Sequence, residues 1–283
     1  MRNSAALHTG TGEKGATPGP LATTFARLAL DTGEAGLDLS ARIGRPEGPG
    51  WTTAAGLSTD PDLLETLIGR IERGCGVNDR AYAGTSLLRS YLWRILTTSV
   101  ATFLTERRLP DLGAENVALR FGDGGFAEGL AFASPRFFAL PDDPEAGHPQ
   151  AAVLLSEKDF LDRVREALAT THLPALTPAL RALRVRRGKR ALWGSGADVC
   201  AEAFMFVGQS LGREAEALGF AEELLCGSPL SGPTNFFVLE HDGEKRTSRV
   251  RNTCCLYYKL GNGPCLTCPR LTDEERRARL AAT

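Results

Sequence analysis

From Asp60-Pro61 onward, apolar residues fall at Leu63, Leu64, Leu67, Ile68 and Ile71. This three-and-four spacing lays one stripe along a helix, and Gly74 ends it. A second and broader stripe, through Leu87, Leu88, Tyr91, Leu92, Ile95, Leu96, Val100, Phe103 and Leu104, predicts a long, largely buried helix from Asn78 to about Arg108. The pattern then shortens. VALRF (117–121) and GLAFA (129–133), separated by the turn-rich GDGGFAE, read as a hairpin, and AAVLL (151–155) reads as a further strand. Ser156 with Asp159 forms a capping box for the helix DFLDRVREALAT, and helices are also expected over 177–187 and 197–219. NFFVLE, the turn HDGE and KRTSRVR predict a second hairpin, followed by a short charged helix capped by Thr272 and Glu275.

The expected fold is α+β: predominantly helical, with short antiparallel strands and a C-terminal hairpin. Residues 1–20, rich in Thr, Gly and Pro, read as a flexible tail, because ordering them costs more entropy than their burial returns. A boundary in the loop 141–150 divides a mainly helical part, 21–145, from a C-terminal part, 146–283, that contains the segment 250–270.

Composition narrows the class. The 283 residues are 42% apolar, and 33 Lys and Arg nearly balance 34 Asp and Glu, so no global field marks the surface for nucleic acid or membrane. No secretory h-region opens the chain and no run approaches the roughly 18 apolar residues of a membrane span, so the expected location is the cytoplasm. Cysteines in a reducing compartment are expected to stay reduced. Of the seven, Cys75, Cys200 and Cys226 are scattered and expected to be small buried residues, while Cys254, Cys255, Cys265 and Cys268 fall close together.

In RNTCCLYYKLGNGPCLTCPR, Cys265 and Cys268 form a C-x-x-C pair that turns two sulfurs toward one metal with little strain. Pro264, Pro269, Gly261 and Gly263 suit the tight turns around it. Structural zinc sites usually combine two spaced pairs, whereas adjacent residues in an extended segment project to opposite faces. Cys254 and Cys255 therefore converge poorly on one ion. A [2Fe–2S] cluster, which shares four thiolates between two irons, relaxes that demand; spacing by itself leaves zinc open.

The segment RVRNTCCLYYKLGNGPCLTCP resembles the C-terminal signature of the FhuF-like ferric-siderophore reductases: Cys-Cys, about ten residues, then Cys-x-x-Cys, with all four holding a [2Fe–2S] cluster. Here nine residues separate Cys255 from Cys265. Upstream, ALWGSGADVCAEAF (191–204) is also similar, while residues 1–150 are not. The resemblance implies one-electron reduction of siderophore-bound Fe(III) to Fe(II), through a cluster held by Cys254, Cys255, Cys265 and Cys268, with a ferric siderophore as substrate and a ferredoxin or flavoprotein as external donor. The alternative is a zinc-stabilised or siderophore-binding module in which the four-cysteine site is structural.

Other signals are weaker. G-x-G-x-x-G at Gly10, Gly12 and Gly15 lacks the preceding strand a dinucleotide site requires. Arg181, Arg184, Arg186, Arg187, Lys189 and Arg190 read either as a solvated helix end or as a docking surface for an acidic partner or an anionic siderophore. Arg249 and Arg251, with Arg246 before them, either line an exposed strand face or place charge at the cluster. Tyr257 and Tyr258 either shield the cluster or pack in the core. His8, His148, His172 and His241 have no partner at metal-ligand spacing.

Overall fold

The computed structural model describes residues 18–31, 37–227, 229–230, 232–241 and 244–281. Most of the expected tail, including the glycines at 10, 12 and 15, lies outside these. Its last residue, Pro20, already opens helix α1 (Pro20–Asp31), because Leu21, Phe25 and Leu28 recur at helical spacing and bury completely or nearly so. Two short strands, β1 (Arg42–Ile43) and β2 (Trp51–Thr53), lead to α2 (Ala54–Thr59) and α3 (Pro61–Gly74). Asp60 caps α3 by accepting from the Leu63 N–H at 2.9 Å, with Pro61 at the first helical position.

Asp79 likewise caps α4 (Arg80–Glu106), accepting from the Tyr82 N–H at 2.9 Å. This 27-residue helix ends where Arg107 turns left-handed at φ 56°. A chain of short strands follows: β3 (Arg108–Pro110), β4 (Val117–Phe121), β5 (Ala127–Phe132), β6 (Phe137–Ala139) and β7 (Ala151–Val153). The predicted β4–β5 hairpin is present, with a register shift at Arg120/Phe121. It sits in a four-stranded sheet of order β1-β5-β4-β2, beside a three-stranded sheet of order β3-β6-β7. The expectation of antiparallel strands needs one correction: β1–β5 and β6–β7 pair in parallel, each joined by a long excursion that local turn chemistry does not reveal.

The second half is helical, as expected, with shifted boundaries. α5 (Glu157–Glu166) starts at the predicted capping box and passes through a π-helical turn (Ala167–His172) into α6 (Leu173–Ala182). The helix expected at 177–187 thus starts earlier and stops five residues sooner. The single helix expected at 197–219 is two, α7 (Lys189–Ser210) and α8 (Glu214–Leu225), broken where Gly212 takes φ +65°. From Ser195 to Met205 every residue of α7 is buried, so its apolar pattern carries no stripe.

The predicted hairpin is β8 (Phe236–His241) with β9 (Glu244–Arg249), and His241 closes β8 rather than sitting in the turn. A 3₁₀ turn (Tyr257–Leu260) and α9 (Asp273–Ala281) complete the chain, the latter with the Thr272/Glu275 box at 2.8 and 3.2 Å. α4 packs along α7, and one hydrophobic core continues across the loop 141–150. Among the described residues helix outweighs strand more than threefold, an α+β fold. Among the described residues, no helix is long and apolar enough to cross a membrane.

Candidate metal centre

The cysteine-bearing chain leaves β9 at Arg249 and lies down on α7. Four α7 residues, one helical turn apart or adjacent, receive it: Gly194, Ser195, Asp198 and Glu202. Gly194 is where the chain must come close. A Cβ there would fall 2.3 Å from Thr253 Cγ2, so only glycine admits Thr253. Ser195 Oγ lies 3.3 Å from Thr253 Oγ1.

Asp198 is the anchor. Fully buried, its carboxylate accepts from Arg249 Nη2 (2.7 Å), the Asn252 N–H (2.8 Å), the Thr253 N–H (2.9 Å) and Thr253 Oγ1 (2.6 Å). Arg249 Nη1 adds a bond to the Asp198 carbonyl at 2.6 Å. The backbone entering Cys254 is thereby fixed by one side chain. Glu202, one turn on, takes Arg251 Nε at 2.5 Å and Arg89 Nη2, from α4, at 2.7 Å. Burial works to raise its pKa but is outweighed by Arg89 and Arg251, which bring it down to about 2.

Arg251 joins the two cysteine loops. Its N–H donates to the Thr267 carbonyl at 2.9 Å, and its Nη1 reaches Cys265 Sγ at 3.7 Å. The C-x-x-C turn closes with Cys268 N–H to Cys265 O at 3.0 Å. From outside, α9 holds this loop: Arg276 Nη2 donates to the Cys268 and Leu271 carbonyls, both at 3.0 Å, and Arg279 Nη1 to the Pro264 carbonyl at 2.8 Å. Leu256, Gly261 and Gly263 take φ of 63°, 81° and 72°. The glycines supply the left-handed turns expected of them, and Leu256 holds such a conformation only because its surroundings over-determine it.

All four cysteines are free thiols. Cys255 and Cys265 meet directly, Sγ to Sγ at 3.4 Å, too far for a disulfide. The hydrogen bond shared by the two thiols brings Cys255 down to about 5, and the same contact with burial pushes Cys265 up. Burial also raises Cys254, which feels Cys268 and Cys255 as neighbouring charges. Cys255 and Cys268 are buried, while Cys254 and Cys265 are half-buried. Among the described residues, no three His, Cys, Asp or Glu side chains have the spacing for a single metal ion. Cys255 and Cys265 meet across the two loops, Cys254 and Cys268 flank them in the same loops, and these four are the residues that would hold a metal group.

The structure separates the remaining candidates. Arg249 and Arg251 are not on an exposed face: Arg249 is fully buried on Asp198, whereas Arg251 reaches the Cys265 sulfur. Arg246 lies in β9, paired in register with Leu239. Tyr258 packs against the core, with the Arg270 guanidinium 5.1 Å above its ring, and Tyr257 is exposed. Arg187 leaves the basic segment to donate to the Cys254 carbonyl at 2.9 Å. Cys200 is buried as expected, but Cys75 is half-buried, 3.8 Å from Tyr82 Oη, and Cys226 is exposed because it follows the last turn of α8. His172, the buried histidine, accepts from or donates to Tyr91 Oη (2.5 Å) and the Leu112 carbonyl (3.0 Å), and burial lowers its pKa to about 4.

Asp198, Glu202 and Arg89 were not singled out from the sequence. Two acids spaced i, i+4 within an otherwise apolar stretch of helix are the signal that marks them, since buried carboxylates require cationic partners.

No family model matches the chain, and no curated protein does. Among solved structures, the aerobactin synthetase IucC from a hypervirulent pathotype of Klebsiella pneumoniae is similar at 15% identity and a TM-score of 0.43, over 72% of this chain and 42% of that one. The chain thus spans less than half the length of that synthetase.

Proposed function

We propose that Cys254, Cys255, Cys265 and Cys268 hold a [2Fe–2S] cluster and that the protein reduces siderophore-bound Fe(III) to Fe(II) in the cytoplasm, drawing electrons from a ferredoxin or flavoprotein. The observation that carries this reading is the locking of two cysteine loops against each other by Arg251, which bonds the Thr267 carbonyl and approaches the Cys265 sulfur. Together with the resemblance of RVRNTCCLYYKLGNGPCLTCP to the FhuF-like signature, the adjacency of Cys254 and Cys255, which converge poorly on one ion, favours two irons over one zinc.

A bound cluster supplies a one-electron step that needs no protein acid or base. The chain's own residues then have three tasks. Asp198 fixes the backbone ahead of Cys254. Arg251 places positive charge on a ligand sulfur, which favours the reduced state. The half-buried Cys254 and Cys265 leave an edge of the site accessible to a bulky substrate. Hard oxygen ligands prefer Fe(III) to Fe(II), so one electron loosens the chelate and frees the metal.

Freshly purified protein is expected to absorb broadly between about 300 and 600 nm and to bleach with dithionite. Cys255→Ser and Cys268→Ser should abolish this absorption and the release of Fe(II) from a ferric siderophore. Colourless protein holding stoichiometric zinc after anaerobic purification would replace the reading with a structural zinc site.

A further inference from the structure

The connection between α6 and α7 carries six cations in ten residues, 181–190, and no acid, in a chain whose net charge is −1. A solvated helix end accounts for Arg181, in the last turn of α6. It does not account for the others. Arg184 and Arg186 lie beyond the helix, Arg184 at φ 62°, and Lys189 and Arg190 occupy the first turn of α7, where the helix dipole disfavours positive charge. Arg181, Arg184, Arg186, Lys189 and Arg190 are exposed, and among the described residues none of the five has an ion-pair partner. Two acids beside this connection are already engaged, Glu65 with Arg80, which bonds the Leu183 carbonyl at 3.0 Å, and Asp79 with Lys259 at 3.1 Å.

This charge borders the four-cysteine site. Arg187, within the run, bonds the Cys254 carbonyl, and Gly194, little more than a turn along α7 from Lys189, touches Thr253. Beside the sulfurs two apolar side chains face solvent, Tyr257 (39% exposed) and Leu266 (36%). A small apolar spot next to a field of unneutralised cations suits a partner that is steered by charge and seated by a short apolar contact.

We propose that this surface docks an acidic one-electron carrier protein, which delivers its electron at the Cys254 edge of the site. The inference rests on the cluster reading above. One electron leaves the carrier's reduced centre and arrives at the four-cysteine site; no bond forms or breaks and no proton moves. The occupant is a protein rather than the ferric chelate because the cations are spread over a helix end, a loop and a helix start, more surface than a small anion contacts at once.

The test compares the parent with an Arg186→Glu/Arg190→Glu variant; neither residue contacts the cysteine loops, and Glu at 190 suits the start of α7. The probe is a plant-type [2Fe–2S] ferredoxin, an acidic carrier. Its affinity is read by calorimetry at low ionic strength, and its electron delivery by stopped-flow absorbance. The variant should bind about tenfold more weakly and lose most of the salt dependence of the rate, while dithionite bleaches it as fully as the parent. Equal ferredoxin affinity and equal salt dependence in a parent and variant that both absorb in the visible would overturn the docking surface alone. Unchanged ferredoxin kinetics with impaired turnover of the ferric siderophore would overturn it in favour of the chelate. A parent without visible absorption would remove the cluster reading, and the electron port with it.

Discussion

Two buried arginine clusters use the same chemistry to different ends. Near the N-terminus, Arg108 grips Asp143 with two bonds (2.7 and 2.8 Å) and turns its Nη1 to Glu106 (2.6 Å), Thr24 Oγ1 (3.0 Å) and the Pro20 carbonyl (3.3 Å). That cluster closes on itself: every partner belongs to an element it ties, from α1 to the loop after β6. Around α7, Arg249 and Asp198 start in the same way, but the network runs on through Asn252 and Thr253, and from Glu202 through Arg251 to the Cys265 sulfur. Buried ion pairs contribute little net stability compared with well-packed apolar residues, so each is better explained by what it positions. The first positions secondary structure; the second positions thiols.

The sharpest separation comes from removing the acid in each. Asp198→Ala takes from the buried Arg249 its only ion-pair partner among the described residues and should lose about 3–5 kcal/mol in urea unfolding, while Asp143→Ala leaves Arg108 paired to Glu106 alone and should lose less. Below the unfolding midpoint the two should part. On the cluster reading proposed above, Asp143→Ala is expected to retain the parent's iron and acid-labile sulfide and Asp198→Ala to lose most of both, since the N–H groups of Asn252 and Thr253 lose their anchor. Equal retention in both would reduce the second cluster to a structural tie like the first.

The legibility of the two regions differs for the same reason. Where structure follows from local spacing, the sequence is informative: α3, α4, the β4–β5 and β8–β9 hairpins and the caps at Ser156 and Thr272 all stand where periodicity and capping chemistry put them. The meeting of the two cysteine loops, Cys255 on Cys265, was legible because the cysteines are close in sequence. α1 was missed because Thr/Gly/Pro-rich sequence around it masks three buried apolar residues, and the α7–α8 break because Gly212 lies in a run that is apolar on both sides. Asp198 and Arg249 are 51 residues apart, and Arg108 and Asp143 are 35 apart. Each partner was visible alone, but which acid meets which base is decided by how helices pack, not by any pattern along the chain.

Acid probes the second cluster more gently. Glu202 keeps its charge down to about pH 2 in the folded state, against an ordinary value near 4.5. Below about 4.5 the unfolded chain takes up a proton that the folded chain refuses, so the stability this contributes, on the order of 3 kcal/mol, is present above pH 4.5 and lost as pH falls toward 2. His172 acts at higher pH: held neutral by burial to about 4, it removes stability as pH falls from about 6.5 to 4, when the unfolded histidine protonates and the folded one does not. Glu202→Gln should therefore flatten the lower limb of a stability–pH curve from urea titrations and leave the upper limb unchanged. A lower limb unaltered by the substitution would show that Glu202 does not bind its two arginines as a charge.

The smallest effect is the most specific to the proposed chemistry. Arg251 approaches the Cys265 sulfur, whereas Arg249, two residues earlier and more deeply buried, bonds Asp198. Reduction adds negative charge to the site, so withdrawing a cationic donor from sulfur should make reduction harder. Arg251→Met is expected to lower the midpoint potential by roughly 40–90 mV, equivalent to about 1–2 kcal/mol for one electron, as followed by visible absorption in a redox titration. Arg249→Met should destabilise the fold more and shift the potential less, because its lost partner is a carboxylate one residue set removed from the sulfurs. If the two variants shift the potential equally, or Arg251→Met leaves it unmoved, the 3.7 Å approach to Cys265 is packing, and the α7 cluster differs from the Arg108 cluster only in what it happens to lie beside.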